Sequence, residues 1–179
     1  MNKLTLLQKL INAQEKLQKL SKINRKLRRK NSDLKVRFET TASTDSMTGL
    51  YNKAYFMSQV DYHLNLLRRM VHNAKPKKKL DHVSIVFFDL DGFGVLNKGN
   101  QIAGDNLLIE FSHFLSKHTR KSDVLARVGG DEFCILLPET TFEQAEQFVI
   151  NIQNLLSVAT FGFNGKQINL EASHGVAST

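Results

Sequence analysis

The chain has 179 residues, 41% of them apolar, with a formal net charge of +8, no Trp and one cysteine, Cys134. That length fits one domain plus an extension, and the apolar content suffices for a core. One cysteine excludes an internal disulfide and a cysteine-built zinc site, and no apolar run reaches membrane-span or signal-peptide form, so a soluble cytoplasmic chain is expected.

The charge is uneven along the chain. Residues 1–38 hold 12 Lys/Arg against 2 Asp/Glu, and the remaining residues hold 13 against 15. The basic character belongs to the N-terminal arm and no DNA partner is expected; a basic-zipper DNA reader is the weaker reading of the arm, because its Arg25–Lys30 cluster interrupts the apolar seam instead of preceding it. Leu6, Ala13, Leu20, Leu27 and Leu34 recur at seven-residue intervals, with Leu10, Leu17, Asn24 and Asn31 three residues before the last four. This is an a/d heptad pattern, and Asn at a favours a parallel pair of helices in fixed register. A solitary amphipathic helix docked on its own domain is the competing reading. Five successive d positions favour a homodimeric coiled coil over residues 1–41, with the globular domain over 42–179.

Asp45 to Lys53 carries turn and cap residues, and a helix is expected from about Asn52 to Val71 with Phe56, Val60, Leu64, Leu67 and Val71 on one face. Residues 73–81 read as a basic loop. Residues 82–88 are a near-continuous apolar run, expected to form a buried central strand ending at Asp89-Leu90-Asp91. Acids at the end of such a strand mark a ligand crevice. Gly104-Asp105 is expected to open a helix through His118.

Two β-like runs then flank Arg127-Val128-Gly129-Gly130-Asp131-Glu132-Phe133. Gly-Gly between strands predicts a tight type I′ hairpin, in which both central residues need positive φ. Asp131 and Glu132 beside a backbone without Cβ atoms would let a phosphate approach and a cation bridge to it. A plain hairpin with solvated acids is the alternative. A helix over 141–157 follows, then strands over 159–163 and 166–176 joined by Asn164-Gly165, a strong hairpin signal. The order β-α-β-β-α-β after one leading helix predicts an α+β domain: an antiparallel-rich central sheet with packed helices, plus the N-terminal α-helical coiled coil.

Four motifs together carry a resemblance. Asp45-Ser46-Met47-Thr48-Gly49-Leu50-Tyr51-Asn52-Lys53, Phe88-Asp89-Leu90-Asp91-Gly92-Phe93, Asn97 with Gly104-Asp105, and Arg127 to Phe133 stand in the order found in the GGDEF family of diguanylate cyclases. The resemblance implies a fold like that of nucleotide cyclases and polymerase palms. It implies condensation of two GTP into cyclic di-GMP (c-di-GMP) with loss of two pyrophosphates, in a dimer with facing sites. By resemblance Asp89, the Leu90 carbonyl and Asp131 bind Mg2+, with Mn2+ as the alternative ion. Asp131 or Glu132 activates the 3′-hydroxyl, and Gly129 and Gly130 let the nucleotide lie against the turn. Asn97, Gln101 and Asp105 bind substrate, Asn97 and Asp105 by reading guanine, although in isolation Asn97 suits a turn and Asp105 a helix N-cap. Arg120 and Asp123 match the family's R-x-x-D site for inhibitory c-di-GMP, with a surface ion pair as the plain alternative.

Three departures bear on activity. Gly94 stands where the family has a phosphate-side Lys, for which Lys98 is a candidate substitute. The loop from Asn97 to Asp105 is one residue shorter than usual, with Gln101 in place of His. The family's later basic A-K-x-x-G-R-N segment is not in this sequence. They support an alternative: a catalytically impaired domain that binds GTP or c-di-GMP as a signalling module.

Overall fold

A computed structural model describes residues 22–28, 30, 43–72 and 82–179. The chain divides into two compact units, Met1–Ala42 and Ser43–Thr179. In the first, residues 22–28 and 30 are helical; the rest of the expected coiled coil lies outside the described residues, as does the basic loop.

The second unit runs β1 (Tyr51–Asn52), α1 (Lys53–His72), β2 (Val83–Leu90), α2 (Phe93–Asn97), α3 (Gln101–His118), β3 (Val124–Arg127), β4 (Glu132–Pro138), α4 (Phe142–Val158), β5 (Phe161–Phe163), β6 (Lys166–Ile168) and β7 (Ala172–Ser178). The main sheet has the order β1-β3-β4-β2-β7. Its β3–β4, β4–β2 and β2–β7 pairs are antiparallel, and only β1–β3 is parallel. The α+β expectation therefore holds, with a mixed, antiparallel-rich sheet.

Both sheet faces are covered, which is why β2 reads as an almost unbroken apolar run. On one face Val86, Phe88, Leu90, Phe133 and Ile135 pack with Leu107, Phe111 and Leu115 of α3 and Val149 and Ile152 of α4. Phe111 meets Phe133 edge-on, ring centres 5.1 Å apart. On the other face Phe56 and Val60 of α1 pack with Ala126, Cys134 and Leu136. Asn52 caps α1, its Oδ1 accepting from the Tyr55 amide at 2.9 Å. The Thr141–Gln144 capping box fixes the start of α4.

Four local expectations are corrected. The loop between β3 and β4 is not a two-residue type I′ turn. β3 ends at Arg127 and β4 opens at Glu132, leaving 128–131 in the loop, and positive φ among glycines occurs only at Gly49, Gly92 and Gly165 of the described residues. The helix expected to open at Gly104-Asp105 opens at Gln101, because Asn100 supplies the cap: its side chain accepts from the Ala103 amide. Asp105 is thus inside α3, not its N-cap, and Asn97 closes α2 instead of forming a turn. The expected strand over 166–176 is two strands. β6 pairs only with β5 in a separate ribbon, while β7 joins β2 at the edge of the main sheet. The Asn164-Gly165 turn itself stands as expected, with φ of 51° and 73°.

Candidate functional site

The site is built where β2 ends and β4 begins. Asp89 pairs with Glu132 across the two strands, and the Leu90 amide donates to the Asp131 carbonyl at 3.3 Å. Directly paired residues project to the same face of a sheet. Glu132 and Asp89 therefore share the face of Cys134 and Phe87, the face on which α1 lies. Asp89 is exposed, and Asp131 and Glu132 are half-buried.

The loop between them is held by side chains. Arg127 Nε and Nη2 donate to the Gly130 carbonyl at 3.0 and 2.7 Å. The same guanidinium reaches Asp45 Oδ1 at 3.2 Å through Nη1. Asp45 Oδ1 also accepts from the Thr48 amide and hydroxyl, at 2.9 and 2.8 Å. Burial raises the Asp45 carboxyl, but the Thr48 hydrogen bonds and the Arg127 charge outweigh it and hold the group below the ordinary aspartate value. Gly129 has a local reason: a Cβ there would overlap the Glu132 carboxylate, which folds over it. Gly130 faces open space.

Asp91 is anchored from β7. Its Oδ1 accepts from Ser173 Oγ at 2.7 Å, and its amide donates to the Glu171 carbonyl at 3.0 Å. Neither the Ser173 anchor nor the Asp45–Arg127 pair is found by reading motifs, since each depends on strand register. The Cys134 thiol, two residues beyond Glu132, is raised to about 11 by burial, with Glu132 adding and Lys53 opposing.

Asn97 packs on the start of α3. A Cβ on Gly104 would overlap Asn97 Oδ1, and that oxygen is buried without a hydrogen-bond partner. Gln101 and Asp105 stand one turn apart on α3, Gln101 exposed and Asp105 half-buried. Asn97 and the first turns of α3 therefore form a second cluster, linked to the acids by Asp91–Asn97.

Arg120 and Asp123 fall elsewhere, after α3. Asp123 Oδ2 accepts from the Arg120 amide at 2.8 Å and Oδ1 from Ser122 Oγ at 3.2 Å, so this carboxylate shapes its own turn. No ion pair between the two side chains is formed among the described residues. Both line a groove of about 320 Å³ with His118, Glu139, Gln147 and Phe148.

Among the described residues no group of three or more His, Cys, Asp and Glu side chains converges as a metal site. The expected ligand set is of another kind, two carboxylates with a main-chain carbonyl. All are oxygen donors, which suits Mg2+ or Mn2+. No described helix is long and apolar enough to cross a membrane.

The domain is α+β, with Asp89 and Glu132 paired where β2 ends and β4 begins, beside the Gly129-Gly130 loop. Residues 42–179 match the family described as "Diguanylate cyclase, GGDEF domain", and the chain belongs to that family. It is 36% identical over 137 residues to the probable diguanylate cyclase DgcE of Escherichia coli, covering 76% of this chain and 12% of that protein. It is 33% identical over 137 residues to diguanylate cyclase A of Treponema denticola, covering 76% of this chain and 35% of that one. The chain thus spans a minor part of these curated relatives. Among solved structures, the coiled coil and GGDEF domain of DgcB from Caulobacter crescentus, in complex with c-di-GMP, aligns with a TM-score of 0.76 at 17% identity, covering 90% of this chain and 81% of that one. The isolated GGDEF domain of YfiN from Pseudomonas aeruginosa aligns at 0.65 with 27% identity, covering 75% and 74%. The family's synthesis of c-di-GMP is the function to which this domain is related.

Proposed function

We propose that this domain is an active diguanylate cyclase, working in the cytoplasm as a homodimer with Mg2+. The observation that carries the reading is the Asp89–Glu132 pair, with Asp131 tied to Leu90 beside it. In this reading Asp89, the Leu90 carbonyl and Asp131 hold the ion, which neutralises phosphate charge when bound. Asn97 and Asp105 hold guanine, Asp105 accepting from its N–H groups, and Gln101 contributes to the same pocket. Gly129 and Gly130 let the ribose end lie against the loop.

The 3′-hydroxyl of one GTP attacks the α-phosphorus of the GTP on the facing protomer. Glu132 or Asp131 accepts its proton, a P–O bond forms and pyrophosphate leaves. The second, reciprocal attack closes the ring. One protomer supplies half of the reacting groups, so pairing is part of the mechanism, and a heptad stalk would raise the local concentration of the partner. Product c-di-GMP restrains the domain at Arg120 and Asp123.

Gly94 favours a second reading, a nucleotide-binding signalling module without turnover, because no cation stands at that position. Incubation with GTP and Mg2+, followed by chromatography, separates the two. The cyclase reading requires c-di-GMP from the wild type and none from Asp131→Ala. Binding without product establishes the second reading instead. Calorimetry with c-di-GMP tests the regulatory groove, where Arg120→Ala is expected to abolish binding.

A further inference from the structure

Helix α1 packs on the sheet through Phe56, Val60, Leu64 and Leu67, a stripe at helical spacing. Lys53 stands on that stripe, three residues before Phe56 and seven before Val60. It is exposed, and no ion pair engages it among the described residues. Register explains why a charge occupies a sheet-facing position. Asn52 is level with Arg127 in the β1–β3 pair, and Arg127 is level with Phe133 in the β3–β4 pair. Lys53 follows Asn52 directly as the first residue of α1, so the helix leaves the sheet next to the end at which Glu132 pairs with Asp89. The faces agree as well, since both acids project to the α1 side of the sheet. There the apolar stripe has run past the covered sheet and onto the site.

Lys53 is not spent on the neighbouring acid, because the Glu132 carboxylate is turned back over Gly129. Its charge is nevertheless felt on this face, at the Cys134 thiol. Near the strand ends that carry Asp89, Asp91, Asp131 and Glu132, α1 thus brings Lys53, a cation with no ion pair among the described residues. Acids alone repel a polyphosphate, and Gly94 supplies no charge against it. Lys98 follows Asn97 at the guanine end, and Arg127 is committed to Asp45 and the Gly130 carbonyl.

We infer that Lys53 binds the β- and γ-phosphates of GTP, the part that leaves as pyrophosphate. The assignment rests on the cyclase reading and adds to it a residue from α1. An ammonium on a flexible stem acts on phosphate as a point charge, without the fixed fork of an arginine. The test is equilibrium binding of the full chain, with Mg2+, to a non-hydrolysable GTP analogue and to GMP. Wild type, Lys53→Ala, Lys53→Arg and Lys98→Ala are compared. Lys53→Ala is expected to weaken the triphosphate by about tenfold or more, the scale of one charge-assisted contact, and to leave GMP unchanged. Lys53→Arg restores most of the loss, and Lys98→Ala does not reproduce it. Unchanged triphosphate affinity in Lys53→Ala, or equal weakening of both ligands, overturns the assignment while the cyclase reading stands. A wild type that binds neither nucleotide overturns both.

Discussion

Arg127 binds Asp45 and the Gly130 carbonyl with one guanidinium, at 3.2 Å on one side and 2.7 and 3.0 Å on the other. The start of the globular unit and the β3–β4 loop are thereby fastened to a single side chain. Arg127→Ala leaves the Gly130 carbonyl and the Asp45 carboxylate each short of a charged donor. A loss of about 1.5–3 kcal/mol of stability is expected, the range for hydrogen bonds to charged groups. Urea unfolding measures it. Turnover should fall further than stability alone accounts for, because Asp131 and Glu132 follow Gly130 directly.

The same pair sets an acid response. The Asp45 carboxyl titrates below its unfolded value, so its contribution is present above the ordinary aspartate range, near pH 4, and fades as pH falls through the lower folded value. The stability difference between wild type and Asp45→Asn should be flat from about pH 5 to 8 and shrink below about pH 4. A difference that grows on acidification contradicts the assignment.

Cys134 is buried, and its thiol is raised to about 11. The thiolate is the reactive form. Alkylation of the native protein near pH 8 should therefore be far slower than in urea, which a thiol-reactive chromophore reads directly. Rapid labelling of the folded chain would show that the β4 face opens.

Two glycines make separable predictions. Gly129→Ala pushes aside the Glu132 carboxylate and is expected to lower kcat by about tenfold or more, a modest share of what general acid–base catalysis contributes. Gly104→Ala displaces the Asn97 amide and should raise KM for GTP more than it lowers kcat. Steady-state kinetics on both variants separate the cluster at Glu132 from the one at Asn97, which the proposed function assigns to guanine.

Much of this architecture is legible in the sequence where the determinant is local. Asn164-Gly165 specifies its turn because its two residues accept positive φ. The β2 run and the α4 face follow from periodicity alone. Gly129-Gly130 misleads on turn type because that loop is shaped by Arg127, whose partners are fixed by tertiary structure. Asn100 outcompetes Gly104-Asp105 as the start of α3, since its side chain satisfies the Ala103 amide. The break between β6 and β7 is equally non-local: Asn169 Nδ2 donates to the Ala159 carbonyl, and the Glu171 carbonyl accepts from Asp91. Of the site, Asp89, Asp131 and Glu132 are readable as a motif. Ser173 is not, because its hydrogen bond to Asp91 exists only once β7 is in register with the sheet.

The strand order β1-β3-β4-β2-β7 places β2 and β4 inside the sheet, with a hydrogen-bonded neighbour on either side. Their amides are expected to exchange with solvent more slowly than those of β1 or β7, and to do so only in the largest opening events. The acids at Asp89 and Glu132 are carried by these two strands. Fraying at either edge of the sheet therefore leaves their spacing intact, and that spacing should disappear only when the whole unit unfolds.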